Sequence, residues 1–152
     1  MTTVRRYRMA DKPACLAIFD SNVPAYFDAS ERDDFAAFLD DPDGVYLVLE
    51  QDGGVIGCGG YAREERGQAR FTWGIVDGNH HGAGHGRLLA EYRLEEIAAS
   101  GDYAETELFT TPKVAPFFAK FGFVEAEIVK DGFAPGMDKV QMIRDMADCA
   151  GD

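Results

Sequence analysis

The residues best suited to chemistry lie together in Val76-Asp77-Gly78-Asn79-His80-His81-Gly82-Ala83-Gly84-His85-Gly86-Arg87. This stretch leads out of a β-like segment into a helical one. A helix start leaves backbone N–H groups unpaired and carries partial positive charge. Glycines remove the side chains that would keep a ligand from those groups. The result is an anion cradle of a size suited to a pyrophosphate, and Arg87 adds a full positive charge beside it. Two familiar phosphate motifs do not match. Gly82-x-Gly84 is followed by Arg87 where the dinucleotide fingerprint needs a third glycine, and there is no Gly-Lys-Ser/Thr. The competing reading is a turn without a ligand. His80, His81 and His85 also raise the question of zinc. No acidic or thiol ligand stands near them in sequence, and a loop-to-helix junction spreads their side chains, so no metal is expected. They read as solvated loop residues, or one of them as a proton relay.

The elements that position this stretch alternate between strand and helix patterns, with no repeat and no linker. Val4–Tyr7 reads as a strand, followed by a helix with Asp11 as cap and Pro13 in its first turn. A loop over 22–29 is unusually apolar. Ser30 followed by Asp33 resembles a capping box, and Phe35, Phe38 and Leu39 form the face of the helix behind it. Val45–Glu50 and Val55–Tyr61 flank the hairpin turn Asp52-Gly53-Gly54, and Phe71–Val76 is a third strand. The helix from Arg87 to Ala99 has apolar residues spread around it, which predicts packing on more than one side; Gly101 stops it. Glu105–Thr110 is a strand and Lys113–Phe121 a short helix. Val124–Val129 alternates apolar and acidic residues, which predicts a half-solvated strand. Val140–Arg144 is the last strand, and the tail from Asp145 reads as frayed. The pattern predicts an α/β mixed sheet of about seven strands flanked by four helices, in one domain over 1–152.

Composition narrows the function. The formal charge of -12 would repel a phosphate backbone, which argues against nucleic acid. The same acidity fits a solubility surface or attraction of a cationic acceptor. No apolar run reaches the roughly 20 residues of a membrane span, and no signal peptide is visible. The three cysteines, Cys15, Cys58 and Cys149, are far apart and suggest neither disulfides nor a zinc site, so a reduced cytoplasmic setting is expected.

With these residues in view, the chain resembles the GNAT superfamily of N-acetyltransferases. His81-Gly82-Ala83-Gly84-His85-Gly86, five residues after the strand-ending Val76, is similar to the family's Gln/Arg-x-x-Gly-x-Gly/Ala motif, with His81 at the Gln/Arg position. Leu108-Phe109-Thr110-Thr111-Pro112-Lys113-Val114-Ala115-Pro116-Phe117-Phe118-Ala119-Lys120-Phe121-Gly122-Phe123 resembles its Asn-x-x-Ala-x-x-x-Tyr-x-x-x-Gly-Phe block. The element order fits over nearly the whole chain.

The resemblance implies acetyl-CoA as co-substrate, no metal, and direct transfer of the acetyl group to a small-molecule or protein amine. It also admits a homodimer. Gly74, Ile75 and Val76 would pair with the pantetheine arm. His81, Gly82, Ala83, Gly84, His85, Gly86 and Arg87 would hold the pyrophosphate, with Thr111 and Phe118 near the cofactor. Phe118 stands where the family often has a tyrosine that protonates the leaving thiolate. Phenylalanine has no proton to give, so a non-catalytic acyl-CoA-binding module of the same fold is the second reading. The family often places a glutamate base on the strand before the cradle, and no Glu lies between Phe71 and Val76. Glu64, Glu65, Glu105, Glu107 and the loop histidines are left, the carboxylates expected at the surface. Catalytic assignment stays open among Thr111, Glu107 and His81. For the acceptor, Tyr26, Phe27 and Trp73 would supply aromatic walls, with Asp28 or Glu31 facing a cation; simple packing beneath the loop explains the same rings equally well.

Overall fold

The computed structural model describes residues 1–146. Seven strands make one sheet: β1 (Thr2–Arg6), β2 (Val45–Gln51), β3 (Gly54–Arg63), β4 (Ala69–Val76), β5 (Glu105–Thr110), β6 (Val124–Ala134) and β7 (Met137–Asp145). Their spatial order is β1-β2-β3-β4-β5-β7-β6. Every neighbouring pair is antiparallel except β4 and β5, which are parallel. The helices are α1 (Lys12–Asp20), α2 (Arg32–Asp40), α3 (His85–Ser100) and α4 (Ala115–Ala119). Among the described residues no helix is long and apolar enough to cross a membrane.

The pleat of each strand sends alternate side chains to opposite faces. Tyr46, Val48, Cys58 and Ile75 meet Cys15, Ile18 and Phe19 of α1 and Phe35 and Leu39 of α2. On the other face Ala69, Phe71 and Leu108 pack with Ala90, Leu94 and Ile97 of α3 and Ala115 of α4, while Leu49 and Ile56 meet Leu89. The β2–β3 turn has Asp52 at φ 52° and Gly53 at φ 83°, the two positive values that a two-residue hairpin loop needs to match strand twist.

Several expectations are corrected. Ser30 does not cap α2. Asp28 instead caps the short 3-10 turn Ala29–Glu31 that leads into α2, accepting from the Ser30 N–H (3.0 Å) while Glu31 accepts from the Asp28 N–H (2.9 Å), so the capping box begins two residues earlier; α2 itself has Glu31 at its N-cap position without a side-chain cap. Asp11 stands before α1, but its carboxylate turns to the Arg8 N–H (2.8 Å) and to the Arg5 guanidinium (2.9 Å), pinning β1 to the helix start. The buried residues of α3 form one stripe, not several. His85, Leu89, Arg93 and Ile97 follow at i+4 beside Ala90 and Leu94. Two polar members of that stripe made the apolar pattern look scattered. β6 is exposed on both faces over most of its length, because it is the sheet edge and pairs only with β7; Val124, Ile128 and Val129 are exposed. Asp145 belongs to β7, and Met146 is buried with its N–H on Ala104 O (2.9 Å). The rest of the tail, with Cys149, lies outside the described residues.

Candidate active site

The site begins where the β4–β5 ladder ends. The two parallel strands pair only at Ala69↔Thr106 and Arg70↔Glu107, and beyond that point they diverge. A bulge in β4 opens the gap: Cys58 opposes Ile75 and Gly60 opposes Thr72, so Trp73 and Gly74 together face Gly59. Trp73 has φ 36°, an outlier for a bulky residue. Its carbonyl is held by the Tyr46 hydroxyl (2.8 Å), and its indole packs on Phe35 (ring centroids 5.0 Å) and stacks with Phe27 (6.3 Å). Surroundings that over-determine a residue in this way are what let a strained backbone persist.

The gap opens into a cavity of about 570 Å³. At one end lies the glycine loop. Gly84 is the residue before α3, with φ 83°; an added Cβ there, as at Gly82, would meet nothing within 4 Å, so the backbone faces open space. The first-turn amides of α3 lack intrahelical partners by helix geometry. Gly82, Gly84, His85, Gly86 and Arg87 all border the cavity, as do Gly74, Ile75 and Val76 of β4. Ala83 belongs to the loop but does not border it. Arg87 is largely exposed and its guanidinium is paired with Glu91. His81 is exposed at the rim of the cavity: its Nε2 donates to Val76 O (2.9 Å), and its ring meets Tyr26 edge-on (5.2 Å). Asn22, which sequence reasoning passed over, donates to the same Val76 oxygen (2.9 Å) and to Ile18 O (2.9 Å). It ties the end of α1 to the end of β4. His80 binds Asp77 (3.1 Å), and among the described residues no group of three or more His, Cys, Asp or Glu is arranged to hold a metal ion.

The opposite wall comes from β5 and α4. Thr111 borders the cavity with Oγ1 buried and without a hydrogen-bond partner. Phe118 also borders it and is wedged among Phe117 (5.1 Å), Phe123 (5.9 Å) and Phe71 (6.3 Å). α4 covers only Ala115–Ala119, with Pro116 in its first turn, shorter than the expected Lys113–Phe121.

On the α1/α2 side Tyr26, Phe27 and Trp73 line the cavity together with Glu31. The rings are therefore both wall and core. Of the two carboxylates expected to face a cation, Asp28 does not border the cavity, and its Oδ2 accepts from the Ser30 N–H and hydroxyl. Glu31 keeps Oε1 without a hydrogen-bond partner among the described residues. Burial raises its carboxyl above the ordinary value, only partly offset by the Asp28 N–H. Glu107 does not border the cavity and is not at the surface. It is 2% exposed and takes Gln141 (2.8 Å), Arg70 (2.9 Å) and Gln68 (3.3 Å). Burial pushes its carboxyl up, but those donors outweigh burial and hold it below the ordinary value. It stands at the last paired rung of the ladder, with a donor on each oxygen. Glu64 is likewise paired, with Arg70 (2.8 Å).

The most buried charge at the site is one that sequence reasoning missed. Arg93 of α3 is 3% exposed and borders the cavity. Its register was the available signal, since it falls four residues after Leu89 and four before Ile97.

The family model "Acetyltransferase (GNAT) domain" matches residues 42–125, more than half of the chain. The chain belongs to the GNAT acetyltransferase family. No curated protein matches it. Solved GNAT-like structures show the same fold. The ribosomal-protein-S18-alanine N-acetyltransferase of Escherichia coli is 20% identical, with a TM-score of 0.81 over 96% of this chain and 94% of that one. The Salmonella typhimurium protein yncA, solved with its cofactor acetyl-CoA, is 19% identical, with a TM-score of 0.75 over 96% and 94%. The ribosomal-protein-alanine N-acetyltransferase of Brucella melitensis is 23% identical, with a TM-score of 0.73 over 94% and 99%. The GNAT match spans β2 to β6 and so contains the bulge, the glycine loop and α4.

Proposed function

We propose that this GNAT protein is an acetyl-CoA-dependent N-acetyltransferase that passes the acetyl group directly to a primary amine of a small molecule or protein. The observation that carries this reading is the split between β4 and β5, with a glycine cradle at one end and an aromatic pocket bearing Glu31 at the other. The residues fit the donor. Beyond Arg70 the β5-facing edge of β4 has no ladder partner, which leaves Gly74, Ile75 and Val76 able to pair with an amide-bearing arm. The amides from His81 to Arg87 would hold the pyrophosphate. Thr111 Oγ1, buried without a partner, would bind a polar group of the donor.

Attack on a thioester requires a neutral amine, so a base must take a proton. Glu31 is the cavity carboxylate with an unpartnered oxygen, and its raised pKa suits that task. Tyr26 and Trp73 would wall the acceptor pocket, with Lys113 Nζ already over the Tyr26 ring (4.4 Å). The setting is proposed to be cytoplasmic. The exposed apolar residues of β6 would serve a homodimer, which sedimentation would detect.

Phe118 favours the second reading, an acyl-CoA-binding module without turnover, because it supplies no hydroxyl where the leaving group departs. One experiment separates the two: thermal stabilisation by acetyl-CoA, followed by thiol release across a panel of amines. Stabilisation with release supports the enzyme; stabilisation with no release from any amine supports the binding module; no stabilisation overturns both.

A further inference from the structure

Arg93 is a buried cation that the fold leaves without an anion. Its guanidinium lies over the Phe71 ring, 3.8 Å from the centroid. Nε reaches Leu89 O and Nη1 reaches Gly60 O, both at a long 3.3 Å. Among the described residues Nη2 has no hydrogen-bond acceptor and no carboxylate comes within 4 Å of the group. The titratable groups that face it are the Tyr46 phenol from β2 and the Cys58 thiol from β3. Burial pulls the guanidinium down to about 10, so it stays charged at neutral pH. Leaving an ion desolvated without a counter-ion costs several kcal/mol.

The backbone is shaped to admit this group. A Cβ on Gly74 would come within 3.1 Å of Nη2, and one on Gly59 within 3.4 Å of Cζ. These are the residues of the β4 bulge and the one opposite it, so the charge sits at the mouth of the split. α3 starts in the glycine cradle, which puts Arg93 on the donor's side of the sheet, across from the Trp73–Phe27 wall. Phe71, which carries the guanidinium on its face, also touches the Phe118 ring. Arg93 and the residue lacking a hydroxyl thus border the same part of the cavity.

We propose that Arg93 holds the negative charge that acetyl transfer places on the departing sulfur. This rests on the acetyltransferase reading. In that step the amine nitrogen bonds to the carbonyl carbon, the carbon–sulfur bond breaks, and its electron pair stays on sulfur as CoA thiolate. The amine proton leaves to Glu31 or water. Arg93 transfers no proton; it stabilises the thiolate through a fixed charge in a water-poor site, and the sulfur is protonated from solvent after release.

The test reads the sulfur itself and needs no acceptor. CoA labelled with ¹³C beside its thiol is bound to the protein and titrated by NMR. In the wild type the bound thiol is expected to ionise at least about one pH unit below free CoA, a tenfold shift in its equilibrium. In Arg93→Met the midpoint returns to that of free CoA or higher, and Arg93→Lys, which keeps a cation, retains part of the shift and serves if the methionine variant does not fold. With an acceptor in hand, Arg93→Met lowers kcat by about 10²-fold, the size expected for losing one preorganised charge-stabilising group. Phe118→Tyr in that background recovers at least about tenfold, which repair of mere packing would not. CoA that binds with an unshifted thiol overturns the role of Arg93 alone. Failure of the wild type to bind CoA overturns the acetyltransferase reading and this one with it.

Discussion

At the closed end of the β4–β5 pair, Glu107 is buried among Gln68, Arg70 and Gln141, and each of its oxygens has a donor. At the open end, a few residues away along the same gap, Arg93 is as deeply buried and has no carboxylate near it. Both charges have been taken out of water. One is neutralised by the fold and the other is not. A buried charge that is fully paired is explained by structure alone. One that is left unpaired at the wall of a cavity points outward, to something that enters. The contrast also explains why a carboxylate on β5 is a poor base although it lies near the site, since its donors stabilise the ionised form and it does not border the cavity.

The largest expected effect tests whether the open end is a ligand site at all. Gly84→Glu puts a carboxylate where the cradle would face a pyrophosphate, and like charges in contact cost several kcal/mol. Acetyl-CoA affinity, measured by calorimetry, should fall at least about 10²-fold. Loss of the φ 83° glycine should cost only about 1–2 kcal/mol of stability, so the folded variant can be compared with wild type; unchanged affinity would remove the cradle from the site.

The next pair of variants sets the two ends against each other. Glu107→Ala leaves the Gln68 and Gln141 amides without their acceptor and Arg70 with Glu64 as its remaining carboxylate. Because Arg70 is itself about a third exposed, the loss in urea unfolding should be about 2–4 kcal/mol, below the full penalty for a broken buried pair. Arg93→Met replaces an unpaired ion with a side chain of similar length, and stability should stay within about 1 kcal/mol of wild type or rise. If Arg93→Met were the more destabilising of the two, Arg93 would be a structural residue and the comparison would collapse.

The smallest effect concerns Glu31. As a base it works ionised, so kcat/KM should rise with pH through a midpoint above the ordinary carboxylate range, and Glu31→Gln should abolish that limb. The sign for stability is opposite. A raised native pKa means that folding favours the protonated form, so this residue's contribution is full at low pH and is lost as pH rises from the ordinary value through the raised one. An acid limb unmoved by Glu31→Gln would assign the proton to another group.

Much of the fold was readable because local signals agreed. Asp52-Gly53 demands a tight hairpin, Gly101 ends α3, and the glycine loop sits between a strand and a helix whose patterns are unambiguous. Tyr26, Phe27 and Trp73 were read both as wall and as packing, and they are both. Arg93 was missed because a charged residue in a helix is normally solvated, and its i+4 place in the buried stripe shows only once the face is known. Glu107 was misplaced for the same reason: its three donors come from β4, β7 and the loop before β4, none of them adjacent in sequence.

The sequence by itself determined the order of elements, the main turns and the glycine loop at the start of α3, because backbone preference and helix-end chemistry act over a few residues. Only the tertiary structure decided which charges are paired. Pairing depends on the register of β4 against β5 and on the bulge at Trp73, and these follow from packing across the whole sheet. No local spacing specifies that the ladder stops at Arg70, and it is that stop which separates the neutralised Glu107 from the open Arg93.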